Sequence, residues 1–250
     1  MDAQAMENQI VSWIKKQVQD AGCKGVIFGM SGGVDSAVVG ALCKKAFPDN
    51  VQALYLPCFS NPVDMEHAKL ATKAFNIPAK MAELSPVFSA FYKVLEGKEY
   101  DKKEKNMAIA NLKPRLRMCS LYYFANKLNY MVVGTGNKSE ASVGYFTKYG
   151  DGGVDMLPIA DLLKRDVRKL AKHLGVPDVI IEKIPTAGLW DGQTDEGEMG
   201  LSYEELDEIL SMIEAGKDLS SFEKEKVEKV KRMNRISEHK RQLPPRCKLK

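Results

Sequence analysis

The sequence predicts an α/β fold, a doubly wound parallel sheet with helices on both faces. Three observations carry this. Short apolar runs at Val26-Ile27-Phe28, Val51 to Leu56 and Tyr130 to Val133 alternate with longer stretches of helical period, the pattern of βαβ units. The runs lack the polar alternation of a half-exposed strand, as expected of strands covered on both faces. The chain is 250 residues long and 44% hydrophobic, which allows one domain, residues 1–250, around a sizeable core.

Each element follows in order. Residues 5–21 form an amphipathic helix with Ile10, Val11, Ile14 and Val18 on one face. Strand Val26 to Phe28 leads through a Gly-rich turn, Gly29 to Ser36, into an apolar helix ending near Phe47-Pro48. Strand Val51 to Leu56 follows. Asn61 before Pro62 reads as a cap with proline in the first turn, opening a helix to about Phe75. Ala79 to Leu84 is a third strand, and Ser85-Pro86 repeats the cap-and-proline start for a helix to about Leu95. Gly97 to Lys105 reads as a charged, mobile connection. A long helix covers Ala108 to Leu128, with Pro114 either interrupting it or marking its start. Strand Tyr130 to Val133 comes next, then loop sequence from Gly144 to Asp155 and a short apolar run, Leu157-Pro158-Ile159. Lys164 to Leu174 is a basic amphipathic helix. Residues 187–200, rich in Gly, Asp and Glu, read as a flexible acidic loop. Ser202-Tyr203-Glu204-Glu205 is a capping box. A charged helix runs from Phe222 to Ile236, and residues 239–250 form a basic, proline-broken tail.

The net charge of +4 gives no argument for nucleic-acid binding, although it favours polyphosphate ligands. No apolar run approaches membrane-spanning length and no signal-peptide pattern opens the chain, so a cytoplasmic protein that engages no membrane is expected. The five cysteines (Cys23, Cys43, Cys58, Cys119, Cys247) are scattered, without a Cys-x-x-Cys pair. They read as free thiols in a reducing compartment, with Cys43 and Cys119 on buried helix faces. His67 and His173 read as surface or core residues, since no Ser/His/Asp arrangement accompanies them.

The Gly-rich turn is Gly29-Met30-Ser31-Gly32-Gly33-Val34-Asp35-Ser36. Where a strand passes through glycines into a helix start, free N–H groups and the helix dipole favour an anion. Ser31 and Ser36 add hydroxyl donors. Bare phosphate repels Asp35, so a bridging cation such as Mg²⁺ is implied. The turn lacks the Gly-Lys-Ser/Thr ending of a Walker A loop and the Gly-x-Gly-x-x-Gly spacing of a dinucleotide fingerprint. It resembles instead the SGGxDS pyrophosphate loop of the ATP pyrophosphatases, which cleave ATP between its α- and β-phosphates. Gly134-Thr135-Gly136-Asn137-Lys138-Ser139-Glu140, after the strand ending at Val133, is either a nucleotide and metal loop or a plain strand-to-helix turn. Gly144 to Asp155 combines aromatic rings with Gly, Lys and Asp, which suits a dinucleotide and equally an ordinary surface loop.

Taken together, SGGVDSA, PRLRM, GTGNKSE, GYFTKYGDGGVD, LPIADLLKRDVR, PTAGLWDGQTDE and EHKRQ, in that order from Gly29 to Gln242, resemble the ammonia-dependent NAD synthetases. The resemblance implies a Rossmann-like ATP pyrophosphatase fold and a C–N ligase that turns deamido-NAD, ATP and ammonia into NAD, AMP and pyrophosphate. It implies that Gly29, Met30, Ser31, Gly32, Gly33, Val34, Asp35 and Ser36 hold the ATP phosphates, with Thr135, Lys164 and Thr186 also on ATP. Asp35 and Glu140 are the implied Mg²⁺ ligands, with Asp35 and Lys164 supporting the chemistry. Arg115, Lys148, Asp155, His239 and Lys240 are implied to contact deamido-NAD, near the interface of a homodimer. Asn137-Lys138 departs from the Asp-His that some relatives carry.

Two other functions compete with this reading. A tRNA thiolase needs paired catalytic cysteines, which are absent. A non-catalytic ATP-binding regulator has no use for Asp35, Glu140 and Lys164 together. A glutaminase unit is also not expected, so ammonium should serve as nitrogen donor where glutamine alone does not.

Overall fold

The computed structural model describes residues 1–104, 106–190 and 192–249. Lys105 at the end of the expected charged connection, Asp191 in the acidic segment and Lys250 in the tail lie outside the described residues. The chain runs α1 (Ala3–Asp20), β1 (Gly25–Gly29), α2 (Val34–Ala46), β2 (Val51–Tyr55), α3 (Pro62–Ala74), β3 (Ala79–Met81) and α4 (Ser85–Glu96). It continues through α5 (Met107–Leu128), β4 (Tyr130–Val132), α6 (Lys138–Val143), α7 (Lys164–Leu174) and α8 (Asp178–Ile181). Then come α9 (Asp195–Met199), α10 (Tyr203–Glu214), α11 (Lys224–Ile236) and α12 (Glu238–Arg241).

Among the described residues the strands form one sheet in the order β3-β2-β1-β4, every pair parallel. A lone parallel bridge from Val133 to Met156 extends it past β4. Val26 and Phe28 of β1 join one apolar cluster and Ile27 the other; Val51, Ala53 and Tyr55 of β2 join the first and Leu54 the second. Successive strand residues point to opposite faces, so both faces are buried, as predicted. Ile14 and Val18 of α1, Val38 and Leu42 of α2, Ala68 and Ala71 of α3, and Val167 and Leu170 of α7 cover the first face. Phe88 and Tyr92 of α4, with Ile109 and Leu121 of α5, cover the second. A third cluster packs α6, α9, α10 and α11 around Tyr203, Leu206 and Ile209.

The winding places the site. From β1 the chain steps outward to β2 and β3, while β4 lies on the other side of β1. The loops that leave β1 and β4 part at a topological switch point, where open α/β sheets seat ligands. Two of the helices that frame the site are also tied at their far ends. Glu7, buried on α1, accepts from Lys45 Nζ of α2 at 2.6 Å and pairs with His173 Nε2 of α7 at 3.1 Å.

Several expectations change. Pro114 lies inside α5, because Asn106 caps that helix by accepting from the Ile109 N–H at 2.9 Å and the helix runs on through the proline. Leu84, not Ser85, is the N-cap of α4. The Ser85 hydroxyl is engaged elsewhere, donating to Glu83 at 2.5 Å and accepting from the Phe59 N–H at 2.8 Å. Cys119 is exposed on α5 rather than buried, and all five cysteines are free thiols. The connection after Gly97 is anchored by the Tyr100 ring, packed among Phe59, Phe88 and Tyr92. The acidic segment 187–200 is not loop throughout: Thr194 caps α9, which buries Asp195 and Met199. The basic tail begins inside a short helix, α12. Among the described residues no helix is long and apolar enough to cross a membrane.

Candidate active site

The Gly-rich turn leaves β1 at Gly29 and enters α2 with Gly33 as N-cap; no side chain supplies that cap. The first N–H groups of α2 are therefore left to the turn and whatever it binds. Gly32 holds φ +81°, and a Cβ on it would stand 2.2 Å from the Asp64 carbonyl oxygen, so only glycine fits. Ser31 Oγ and Ser36 Oγ lie 3.0 Å apart, and Ser36 donates to the Gly33 carbonyl at 2.9 Å. Met30 and Val34 are buried and root the turn in the core.

Asp35, in the first turn of α2, faces the first residue of α7. Lys164 Nζ donates to Asp35 Oδ2 at 2.6 Å and to Glu140 Oε1 of α6 at 3.2 Å. Asn137 Nδ2 donates to Asp35 Oδ1 at 2.9 Å. The Lys164 side chain is only 2% exposed, and its ammonium stands 4.8 Å from the centre of the Tyr203 ring. Burial pulls the lysine's pKa down, but Asp35 and Glu140 more than offset it and hold the ammonium above its ordinary range. Burial pushes the Glu140 carboxyl up, against the pull of Lys164. Tyr203 OH donates to Asp195 Oδ2 at 2.9 Å and lies 3.2 Å from Glu140 Oε1, bringing a third carboxylate into the cluster. Burial also raises Asp195, and among the described residues its buried Oδ1 has no hydrogen-bond partner.

Remote residues hold α7 in place. Leu163 gives α7 no side-chain cap, and Ser139 and Asp207 supply it instead. Ser139 Oγ accepts from the Lys164 N–H at 2.9 Å, and Asp207 Oδ2 of α10 accepts from the Arg165 N–H at 2.9 Å. The Ser139 hydroxyl donates to the other Asp207 oxygen. A carboxylate at a helix N-terminus is favoured by the dipole, and this one also fixes the backbone from which Lys164 projects.

Of the residues expected on ATP, the structure unites Asp35 and Lys164 with the expected metal ligand Glu140. Thr135 is half-buried in the loop after β4. Thr186 is exposed, its hydroxyl accepting from the Gly188 N–H at 3.1 Å. The residues expected on deamido-NAD fall into separate places. Lys148 Nζ donates to the His239 carbonyl, and Lys240 Nζ donates to the Gly144 and Phe146 carbonyls at 2.7 and 2.9 Å. Asp155 accepts instead from Tyr122 OH and the Val132 N–H, both at 2.8 Å, on a cavity of about 500 Å³ beside β4. Arg115 is exposed on α5. Among the described residues no hydrogen bond joins Arg115 or Asp155 to the Lys148 group. Tyr203, Asp195 and Asp207 were not legible as site residues. The capping box locates the start of α10 but not what its side chains face.

Asn137 serves two elements. It caps α6 by accepting from the Glu140 N–H at 3.0 Å, and it holds Asp35. Asn137→Ala is expected to cost about 1–2 kcal/mol of stability, the range of a lost N-cap, and to lower turnover by loosening Asp35. Denaturant melts and steady-state rates check this, and a variant unchanged in both would remove Asn137 from the site.

The NAD synthase family model matches residues 6–244. The NH(3)-dependent NAD(+) synthetase of Carboxydothermus hydrogenoformans is 47% identical over 236 residues, covering 94% of each chain. Among solved structures, an NMN synthetase from Francisella tularensis superposes with a TM-score of 0.90 at 34% identity over 100% of both chains. An NH3-dependent NAD synthetase from Campylobacter jejuni superposes with a TM-score of 0.84 at 30% identity, covering 99% of this chain and 100% of that one. The chain belongs to the NAD synthase family and catalyses the ATP-dependent amidation of deamido-NAD with ammonia to NAD.

Proposed function

We propose that the Asp35–Lys164–Glu140 cluster at the switch point is where ATP is activated, and that Gly29 to Ser36, with Thr135 and Thr186, seat its phosphates. The observation that carries this is two carboxylates converging on one buried ammonium beside an uncapped helix start. Among the described residues no three acidic, His or Cys side chains lie close enough to hold a metal by themselves. Asp35 and Glu140 beside a phosphate seat suit Mg²⁺, a hard cation bound by one or two carboxylates together with substrate phosphates. The unpartnered Asp195 oxygen supports a further positive charge nearby. Asp35 and Glu140 would hold Mg²⁺, which when bound supplies charge neutralisation at the polyphosphate.

The chain's own part is positioning and charge. Lys164 neutralises the leaving pyrophosphate as the nicotinate carboxylate attacks the α-phosphorus. Lys148, His239, Lys240, Asp155 and Arg115 position deamido-NAD. Ammonia then attacks the acyl-adenylate and AMP leaves. Residues 187–200 act as a lid that keeps this intermediate from water. Contacts that support a lid are Lys113 Nζ to the Leu189 carbonyl at 2.6 Å and Gln193 to both Leu189 N–H and Glu198 at 2.7 Å. The exposed stripe Val87, Phe91, Val94 and Leu95 on α4 supports a homodimer, and the scattered free thiols support a cytoplasmic protein.

The test follows AMP and NAD formation while Mg²⁺ is titrated and then chelated. Activity should be lost with chelation and restored by Mg²⁺; full turnover in excess chelator would sink the metal assignment. In the same assay the apparent KM for total ammonium should fall as pH rises from about 7 to 9, because the free amine is the nucleophile.

A further inference from the structure

Beyond Lys164, a second ammonium reaches the phosphate turn. Lys183 Nζ, just past α8, donates to Asp64 Oδ1 at 2.6 Å and to the Gly32 carbonyl at 3.4 Å. Asp64 lies in the first turn of α3, whose cap Asn61 accepts from the Val63 N–H at 3.0 Å. The turn rests directly on that helix start, since a Cβ on Gly32 would stand 2.2 Å from the Asp64 carbonyl oxygen.

The Gly32 carbonyl and the Gly33 N–H belong to one peptide plane, and in a trans peptide they point to opposite sides. With the carbonyl held by Lys183, the N–H faces the interior of the turn, where it donates to Ser31 Oγ at 3.3 Å. Both flanking residues are glycines, so no Cβ opposes a flip of that peptide. A flip would bring a carbonyl oxygen into the anion seat in place of a donor. The Ser31 hydroxyl resists the flip from inside the turn, and Lys183 resists it from outside.

We propose that Lys183 is a positioning residue for the phosphate seat: held by Asp64, its ammonium anchors the Gly32 carbonyl and keeps the Gly33 N–H aimed at the bound anion. This rests on the reading of Gly29 to Ser36 as that seat. Lys183 acts on the anion through the backbone and does not itself touch the anion.

Equilibrium binding of α,β-methylene-ATP with Mg²⁺, alongside the KM values for ATP and deamido-NAD, tests it. Lys183→Met should weaken analogue binding about threefold, the weak end of a hydrogen bond's net contribution as suits a 3.4 Å contact, and raise the KM for ATP alike. The KM for deamido-NAD should stay unchanged, and Lys183→Arg should restore most of the loss. Asp64→Asn should also weaken binding, because it releases the anchor. Lys183→Arg and Asp64→Asn keep side-chain volume and carry the test if Lys183→Met does not fold. Analogue affinity unchanged in Lys183→Met, or unchanged or tighter in Asp64→Asn, would overturn the proposal; tighter binding would make Lys183 a direct ligand freed from a competitor. The double variant Ser31→Ala/Ser36→Ala separates the two readings. If it leaves affinity intact, the phosphate seat itself is misplaced. If it loses affinity while Lys183→Met does not, only the role of Lys183 falls.

Discussion

Asp35→Asn is expected to fold and to lose about a thousandfold in kcat/KM, several kcal/mol of transition-state stabilisation. The amide keeps the shape of the side chain and can still accept from Asn137, 2.9 Å away. It loses the charge that faces Lys164 at 2.6 Å and the hard oxygen that suits Mg²⁺. The fold should tolerate the change at a moderate cost, because Lys164 loses the Asp35 charge but keeps the Glu140 carboxylate at 3.2 Å and is not left wholly unpaired. Steady-state kinetics at saturating Mg²⁺, paired with thermal melts, separate the two effects. Near-normal turnover would take Asp35 out of the metal site.

Lys164→Met has the other large effect, and it reaches stability as well as rate. Removing one partner of a buried ion pair leaves uncompensated charge and costs on the order of 3–5 kcal/mol. Here the remainder is Asp35 and Glu140 together, and burial already raises the Glu140 carboxyl. Without the ammonium, the Glu140 carboxyl loses the one group that pulls it down and stands further above its unfolded-state range. A group raised on folding contributes stability below its unfolded pKa, and that contribution is lost as pH rises through the folded pKa. The deficit of Lys164→Met against the parent should therefore be small at about pH 5 and largest at about pH 8, on either side of the raised Glu140 carboxyl. Melting curves at the two pH values decide it; an equal deficit at both would mean that Lys164 does not hold Glu140 ionised.

What was legible in the sequence is what local chemistry writes into it. The runs around Phe28, Leu54 and Val132 marked buried strands, and the glycines after Phe28 marked a turn into a helix. The Ser202 and Glu205 side chains form the reciprocal cap that their spacing predicts. The resemblance named Asp35, Glu140 and Lys164, and the fold joins them. The rest depends on approaches that spacing does not encode. Asp207 caps a helix 42 positions before it, and Lys183 reaches a carbonyl 151 positions away. Asp195 stood in a stretch whose Gly, Asp and Glu content read as loop, yet Thr194 caps a short helix there and burial of Met199 fixes it. Tyr203 showed only as the residue after a cap.

Lys164 and Asp35 are 129 positions apart, and Glu7 meets His173 across 166. Both contacts join α7 to the amino-terminal part of the chain, one at each end of the helix. Bringing such distant segments together costs loop-closure entropy before any contact rewards it, and topologies of this kind fold slowly. A growing chain that has completed β1 and α2 has a phosphate turn but no ammonium opposite Asp35. The catalytic cluster and the seam between α1, α2 and α7 therefore form in one event. In refolding, activity should return in step with the slowest global phase, with no partly folded species able to adenylate its substrate.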